Sequence, residues 1–83
     1  MQAIKYPLST EKSIRLMESE NKLIFVVDRK AKKADIKKEI EELFNAKVDS
    51  VNVINTIKGK KRAYIRFSEE TPAIDIATRL GLM

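Results

Sequence analysis

Histidine and cysteine are absent from this chain, and their absence limits what its remaining polar residues can do. It lacks the usual general base, the commonest metal ligand, any disulfide framework and any Cys-based zinc site. Glu41 and Glu42 are neighbours on a predicted helix and splay apart, which makes them a poor acid–base pair. Gly59 stands alone among side-chain cations, and no Gly-x-x-x-x-Gly-Lys-Ser/Thr phosphate loop occurs. An acylphosphatase-like enzyme would need a loop of backbone amides to hold phosphate, and this chain offers none. Catalysis therefore ranks below binding. No catalytic, metal or cofactor-binding residue is assigned, and no cofactor is expected.

What the sequence does offer is segregated positive charge. Arg29, Lys30, Lys32, Lys33, Lys37 and Lys38 crowd one short stretch relieved only by Asp35, while Lys58, Lys60, Lys61, Arg62 and Arg66 form a block without an acid. The closing stretch is net acidic, with Glu69, Glu70 and Asp75 against Arg79. The net charge of +5 favours polyanionic partners, because each neutralised phosphate releases condensed counterions. Two basic clusters flanking one sheet suit a surface that follows a phosphate backbone. The bland alternative is a solvated helix face plus a solvated turn on a heavily charged, thermophile-like surface. Strand periodicity sharpens the first reading. If Ala63, Ile65 and Phe67 face the core, Arg62, Tyr64 and Arg66 share the opposite face, and Asn52 and Ile54 share one face of the preceding strand. An aromatic between two guanidinium groups suits base stacking with adjacent phosphate contacts, and cross-strand packing of Tyr64 is the equal alternative.

The elements that must carry these residues read as β-α-β-α-β-β-α. Ala3 to Tyr6 forms a short strand that Pro7 ends. Ser9 or Thr10 caps a short helix with Glu11 in its first turn and an apolar stripe of Ile14 and Met17. Lys22 to Asp28 is a strand, and Lys33 to Asn45 is a helix whose Ile36, Ile40, Leu43 and Phe44 face inward. In that helix Lys37, Lys38, Glu41 and Glu42 face outward. Val48 to Ile57 is a strand with Val51, Val53 and Ile57 on one face. Gly59 centres a hairpin turn, Arg62 to Phe67 returns, and a last helix starts with Thr71 as N-cap and Pro72 at its first position and ends before Gly81. The expected fold is α+β, a two-layer or sandwich arrangement with a four-stranded, mostly antiparallel sheet packed by helices. Residues 1–83 form one domain, a length that buries a modest core and leaves function to exposed faces. Hydrophobic content of 43% argues against disorder across the chain. The longest apolar run, Leu23 to Val27, is too short to cross a bilayer, and Met1 to Lys12 lacks a signal-peptide core. A cytoplasmic location without membrane insertion is expected.

The assembled segments resemble the large ribosomal subunit protein twenty-three family in its archaeal form. The match is carried by Pro7-Leu8-Ser9-Thr10-Glu11-Lys12, Asn21 to Val27, Lys32 to Lys37, Glu42-Leu43-Phe44, Val51-Asn52, Lys61 to Phe67 and Ala77 to Gly81. Their order and spacing span essentially the whole chain. The resemblance implies a structural constituent of the large subunit that binds its rRNA beside the exit of the nascent-peptide tunnel. It also implies a share in the platform for factors meeting the emerging chain, signal recognition particle included. Glu11 matches the family's Ser/Thr-Glu-Lys glutamate and so falls in a factor-docking region, and it is equally a first-turn acid stabilising its own helix. Bacterial relatives extend the last hairpin into a long basic loop, and the few residues between Ile57 and Ala63 argue against lining of the tunnel here.

Phosphate contacts are expected from Lys5, Lys12, Lys22, Lys30, Lys32 and Lys33 and from the hairpin cations Lys58, Lys60, Lys61, Arg62 and Arg66. Sugar or base contacts are expected from Asn52, Asn55, Thr56 and Tyr64. The expected partners are large-subunit rRNA, neighbouring ribosomal proteins and signal recognition particle, with the free protein a monomer. The rival of another class is a small protein-interaction module whose Glu11 region and acidic last helix recruit a partner.

Overall fold

The structure, a computed structural model, describes residues 3–56 and 59–81. Its elements are β1 (Ile4–Pro7), α1 (Glu11–Glu20), β2 (Lys22–Val27), α2 (Lys33–Phe44), β3 (Val48–Asn55), β4 (Lys61–Phe67) and α3 (Ala73–Arg79). The sheet order is β1-β2-β4-β3 with every neighbouring pair antiparallel, so the expected α+β class and element order hold. β2 and β3 run the same way but never touch, because β4 lies between them.

All three helices cover one face of this sheet. Leu23, Phe25 and Val27 of β2 and Ala63, Ile65 and Phe67 of β4 meet Met17 of α1, Ile36 and Ile40 of α2, and Ala73, Ile76 and Ala77 of α3. The alternation of strand side chains sends the intervening residues to the other face, which no helix among the described residues covers. α2 turns its stripe inward through Ile36, Ile40 and the half-buried Phe44, spaced four residues apart. Leu43 departs from the expected inward face: it is 61% exposed. At 100° per residue it lies about 60° round the helix from Ile40, on the side away from Phe44.

Capping follows the sequence at one helix and long-range bonds at the others. Thr10 caps α1 in a reciprocal box, its Oγ1 accepting from Ser13 N–H at 3.2 Å while Ser13 Oγ accepts from Thr10 N–H at 2.8 Å. Ile14 is 37% exposed, leaving Met17 as the buried member of that stripe. At α3 the N-cap position is Pro72, with no side-chain cap of its own, and Thr71 instead accepts the Lys47 N–H on its hydroxyl. Asn21 closes α3 from a distance, its Oδ1 accepting from Ala73 N–H at 2.6 Å. Its Nδ2 donates to the carbonyls of Phe67, Ser68 and Thr71 at 3.0–3.2 Å. Asn21 also ends α1 in the left-handed region (φ 56°), which asparagine tolerates. Glu39 of α2 accepts the N–H groups of Ala3 and Ile4 at 3.1 and 2.7 Å, fastening the edge strand to the helix layer. Among the described residues no helix is long and apolar enough to cross a membrane.

Candidate nucleic-acid interface

The uncovered sheet face is built from three rows of side chains set by strand register. One row runs Tyr6, Val26, Arg62, Ile54 from β1 to β3; the next runs Ile24, Tyr64, Asn52; the third runs Lys22, Arg66, Ser50. Ile24 and Val26 are 3% and 4% exposed although they stand outside the helix-facing core. Both lie on β2, which has a strand on either side, and Val26 sits between Tyr6 and Arg62 while Ile24 sits beside Tyr64. Long amphipathic side chains of this kind cover apolar neighbours with their stems and rings and keep their polar ends in water. The result is an apolar floor under a rim of cations, amide and phenol groups. Tyr64 is half-buried in this arrangement, so it packs against its neighbours without being closed off from solvent.

Members of the two basic clusters, Arg29, Lys30 and Lys32 of the first and Lys60 of the second, meet at one end of the sheet. β2 ends at Val27 directly beside Lys61, so the β2–α2 loop that carries Arg29, Lys30 and Lys32 lies against the start of β4. A hollow of about 200 Å³ at this end is lined by Lys5, Tyr6, Val26, Val27, Arg29, Gly59 and Lys60. It joins cations from three segments that are remote in sequence. Gly59 makes the hairpin tight at φ 79°, where an L side chain would be strained. Around it Thr56 N–H and Oγ1 both donate to Lys60 C=O, at 2.8 and 2.7 Å.

Not every expected contact residue joins this surface. Lys61 has the parity of the helix-facing side, and its Nζ donates to Ala31 C=O at 2.7 Å and to Arg29 C=O at 3.5 Å. It therefore fixes the β2–α2 loop, where the sequence suggested a free hairpin cation. Asn55 is opposite Lys61 and shares that parity, apart from Asn52 and Tyr64. The Thr56 hydroxyl is engaged in the turn. Lys30, Lys32 and Lys33 are exposed around the start of α2, on the same end as the hollow. Lys12 and Glu11 are exposed on α1 in the helix layer, with Glu11 accepting from Arg15 at 3.0 Å. Lys58 and Ile57 lie outside the described residues. Lys22 stands at the opposite end of the sheet, roughly 17 Å along β2 from Val27 at about 3.3 Å per residue.

That opposite end is acidic. A groove of about 570 Å³ there is lined by Glu18, Glu20, Asp49, Glu69 and Glu70 together with Asn21, Arg66 and neighbouring residues. Lys22 pairs with Glu20 at 3.4 Å, and Arg66 approaches Asp49 at 3.9 Å across a bulge between Val48 and Ser50. Nearby, Lys47 Nζ meets Glu70 Oε2 at 2.8 Å. The hydrogen bond first, and the opposite charge second, raise the Lys47 ammonium above its ordinary value and hold the Glu70 carboxyl below its own. The sheet thus carries positive charge at the end with the hairpin and negative charge at the end with the α1–β2 turn.

Sequence reasoning missed Tyr6, Asn21 and Glu39. The Lys5-Tyr6 pairing of cation and aromatic was a signal for the first; the other two act through backbone groups 35 or more residues away. Residues 2–78 match the family model described as Ribosomal protein L23. The chain is also 46% identical over 79 residues to a protein of Methanococcus aeolicus named large ribosomal subunit protein uL23, covering 95% of this chain and 92% of that relative.

Proposed function

This chain belongs to the ribosomal protein L23 family, and from that premise we propose that it binds large-subunit rRNA through the uncovered face and basic end of its sheet. Membership makes it a non-enzymatic constituent of the large ribosomal subunit, at work in the ribosome. The observation that carries the RNA reading is the one-sided architecture. With α1, α2 and α3 all on one face, Arg62, Tyr64 and Asn52 lie together on the other, continuous with Lys5, Arg29 and Lys60 at its end. Phosphate contacts from the cations give affinity and position, while the phenol and amide give selectivity. The acidic far end repels the backbone and so orients the strand or helix that docks.

The single domain of residues 1–83 acts as a monomer before assembly. We propose further that it works beside the nascent-peptide exit with neighbouring ribosomal proteins and, as a docking factor, signal recognition particle, a reading that its family resemblance supports. Glu11 and the exposed surface of α1 suit that second role, because they sit in the helix layer and remain accessible when the sheet face is occupied.

Filter binding of folded large-subunit rRNA fragments against generic duplex RNA, over a salt series, tests the RNA reading. Cognate rRNA should bind more tightly, with log affinity falling by close to one unit per log unit of salt for each phosphate neutralised. A nearly flat salt titration would refute it. Tyr64→Leu separates the two roles of that ring. Loss of stacking should cost about 1–3 kcal/mol of binding with an unchanged salt slope, whereas loss of packing alone would lower stability and leave the affinity of folded molecules level.

A further inference from the structure

The hollow at the basic end has features beyond a general basic surface. β1 bulges between Ile4 and Tyr6, so the adjacent residues Lys5 and Tyr6, which would point to opposite faces of a regular strand, both line it. Tyr6 is 45% exposed and lies in the same row as the buried Val26, which gives its ring an apolar neighbour and leaves part of it bare. Arg29 and Lys60 enter from a loop and a hairpin, and among the described residues no carboxylate lines the hollow. The nearest acid in sequence, Asp28, is turned to its own loop and accepts the Lys30 N–H at 2.9 Å.

We propose that this hollow is a subsite for one unpaired nucleotide of the rRNA, its base stacked on Tyr6 and its flanking phosphates held by Lys5, Arg29 and Lys60. This assignment rests on the rRNA-binding reading above and specifies a site within it. The chemistry is selective in three ways. A ring against an apolar floor takes the flat face of a base, and single-stranded RNA offers bases for such stacking where a duplex does not. Cations from three segments, with no acid among the described lining residues, favour a phosphodiester. At about 200 Å³ the hollow is smaller than the roughly 300–1,000 Å³ of ordinary small-molecule sites, so it can enclose a base but leaves the phosphates at the mouth, among the cations. That geometry suits a nucleotide held on both sides by its strand better than a free one.

The test compares wild type with Tyr6→Leu, Tyr6→Phe and Lys60→Ser by filter binding to transcribed large-subunit rRNA over a salt series, with each variant's folding checked by circular dichroism. Tyr6→Leu should weaken binding about 5- to 150-fold, the range that base stacking supplies, and leave the salt slope unchanged. Tyr6→Phe keeps the aromatic face and should bind within about twofold of wild type, while Lys60→Ser should lower the salt slope by about one. Ultraviolet cross-linking of the wild-type complex should yield a nucleotide adduct on the peptide containing Tyr6. If wild type binds rRNA strongly yet Tyr6→Leu binds equally well and no adduct forms there, the subsite is overturned while rRNA binding stands. If wild type itself shows no preference for rRNA, the broader reading fails first. Nucleoside monophosphates at millimolar concentration should leave the complex intact; displacement by them would make the hollow a mononucleotide site and overturn its assignment to the rRNA strand.

Discussion

Lys61 and its neighbours Lys60 and Arg62 carry the same charge on consecutive residues, yet the structure gives them different work, and substitution should separate them. Lys61 Nζ lies 2.7 Å from the carbonyl of the fully buried Ala31. A hydrogen bond from a charged donor contributes about 1.5–3 kcal/mol, and because Lys61 is only half-buried the lower part of that range applies. Lys61→Met, which keeps the stem and removes the ammonium, should therefore cost about 1.5–2 kcal/mol in urea denaturation of the free protein. Its rRNA salt slope should stay at the wild-type value. Lys60→Ser combined with Arg62→Ser should do the reverse. Both side chains are exposed, so the Lys60 change should fall within about 0.5 kcal/mol of wild-type stability, with a small further cost where the Arg62 stem no longer covers Val26. The slope should drop by about two, close to one for each phosphate released. A Lys61→Met protein with full stability and a reduced slope would refute the assignment of Lys61 to the β2–α2 loop.

Other substitutions test the framework that holds the interface. Asn21→Gly should destabilise the fold by about 2–3 kcal/mol through lost side-chain hydrogen bonds, and Asn21→Ala by about 1 kcal/mol more because alanine is strained in the left-handed region; thermal and urea melts that rank alanine above glycine would contradict this. Ile40→Ala should cost about 2–5 kcal/mol, whereas Leu43→Ala should stay within about 0.5 kcal/mol, as denaturant melts will show. The Glu70 carboxyl should titrate below an ordinary glutamate in side-chain NMR and return to the ordinary range in Lys47→Ala. Its small contribution to stability is present above the normal glutamate range and disappears as pH falls through the lowered value.

The order of elements was legible because each strong segment obeys one period. Ile36 and Ile40 repeat at helical spacing, Ala63, Ile65 and Phe67 alternate, and Gly59 marks the turn. The same alternation correctly assigned Arg62, Tyr64 and Arg66 to one face. Other features depend on partners that local pattern does not reveal. Lys61 differs from Lys60 only because β4 begins beside the end of β2, which places Ala31 C=O within reach. Tyr6 joins the basic end through a bulge in an edge strand, and a bulge breaks the very alternation from which faces are read. Asn21 and Glu39 cap backbone groups far away in sequence, so their neighbours give no hint of the task. Thr71 shows the converse: a residue with good capping chemistry in the right place is used by Lys47, and a distant asparagine serves the helix.

The insertion of β4 between β2 and β3 also governs the order in which the protein can fold as it is made. β1 and β2 can pair as soon as both have emerged, but among the described residues β3 has no strand neighbour except β4, the later of the two to be synthesised. The 33 residues from Asp28 to Lys60 separate β2 from its central partner, about 2–7 s of synthesis at roughly 5–20 residues per second. During that interval one edge of β2 has unsatisfied backbone groups, and β3, once made, has no partner on the edge that β4 will cover, so Val51 and Val53 lack the strand that shelters them. A pause in translation before Lys61 would prolong that vulnerable state, and the arrival of seven residues, Lys61 to Phe67, closes both gaps together.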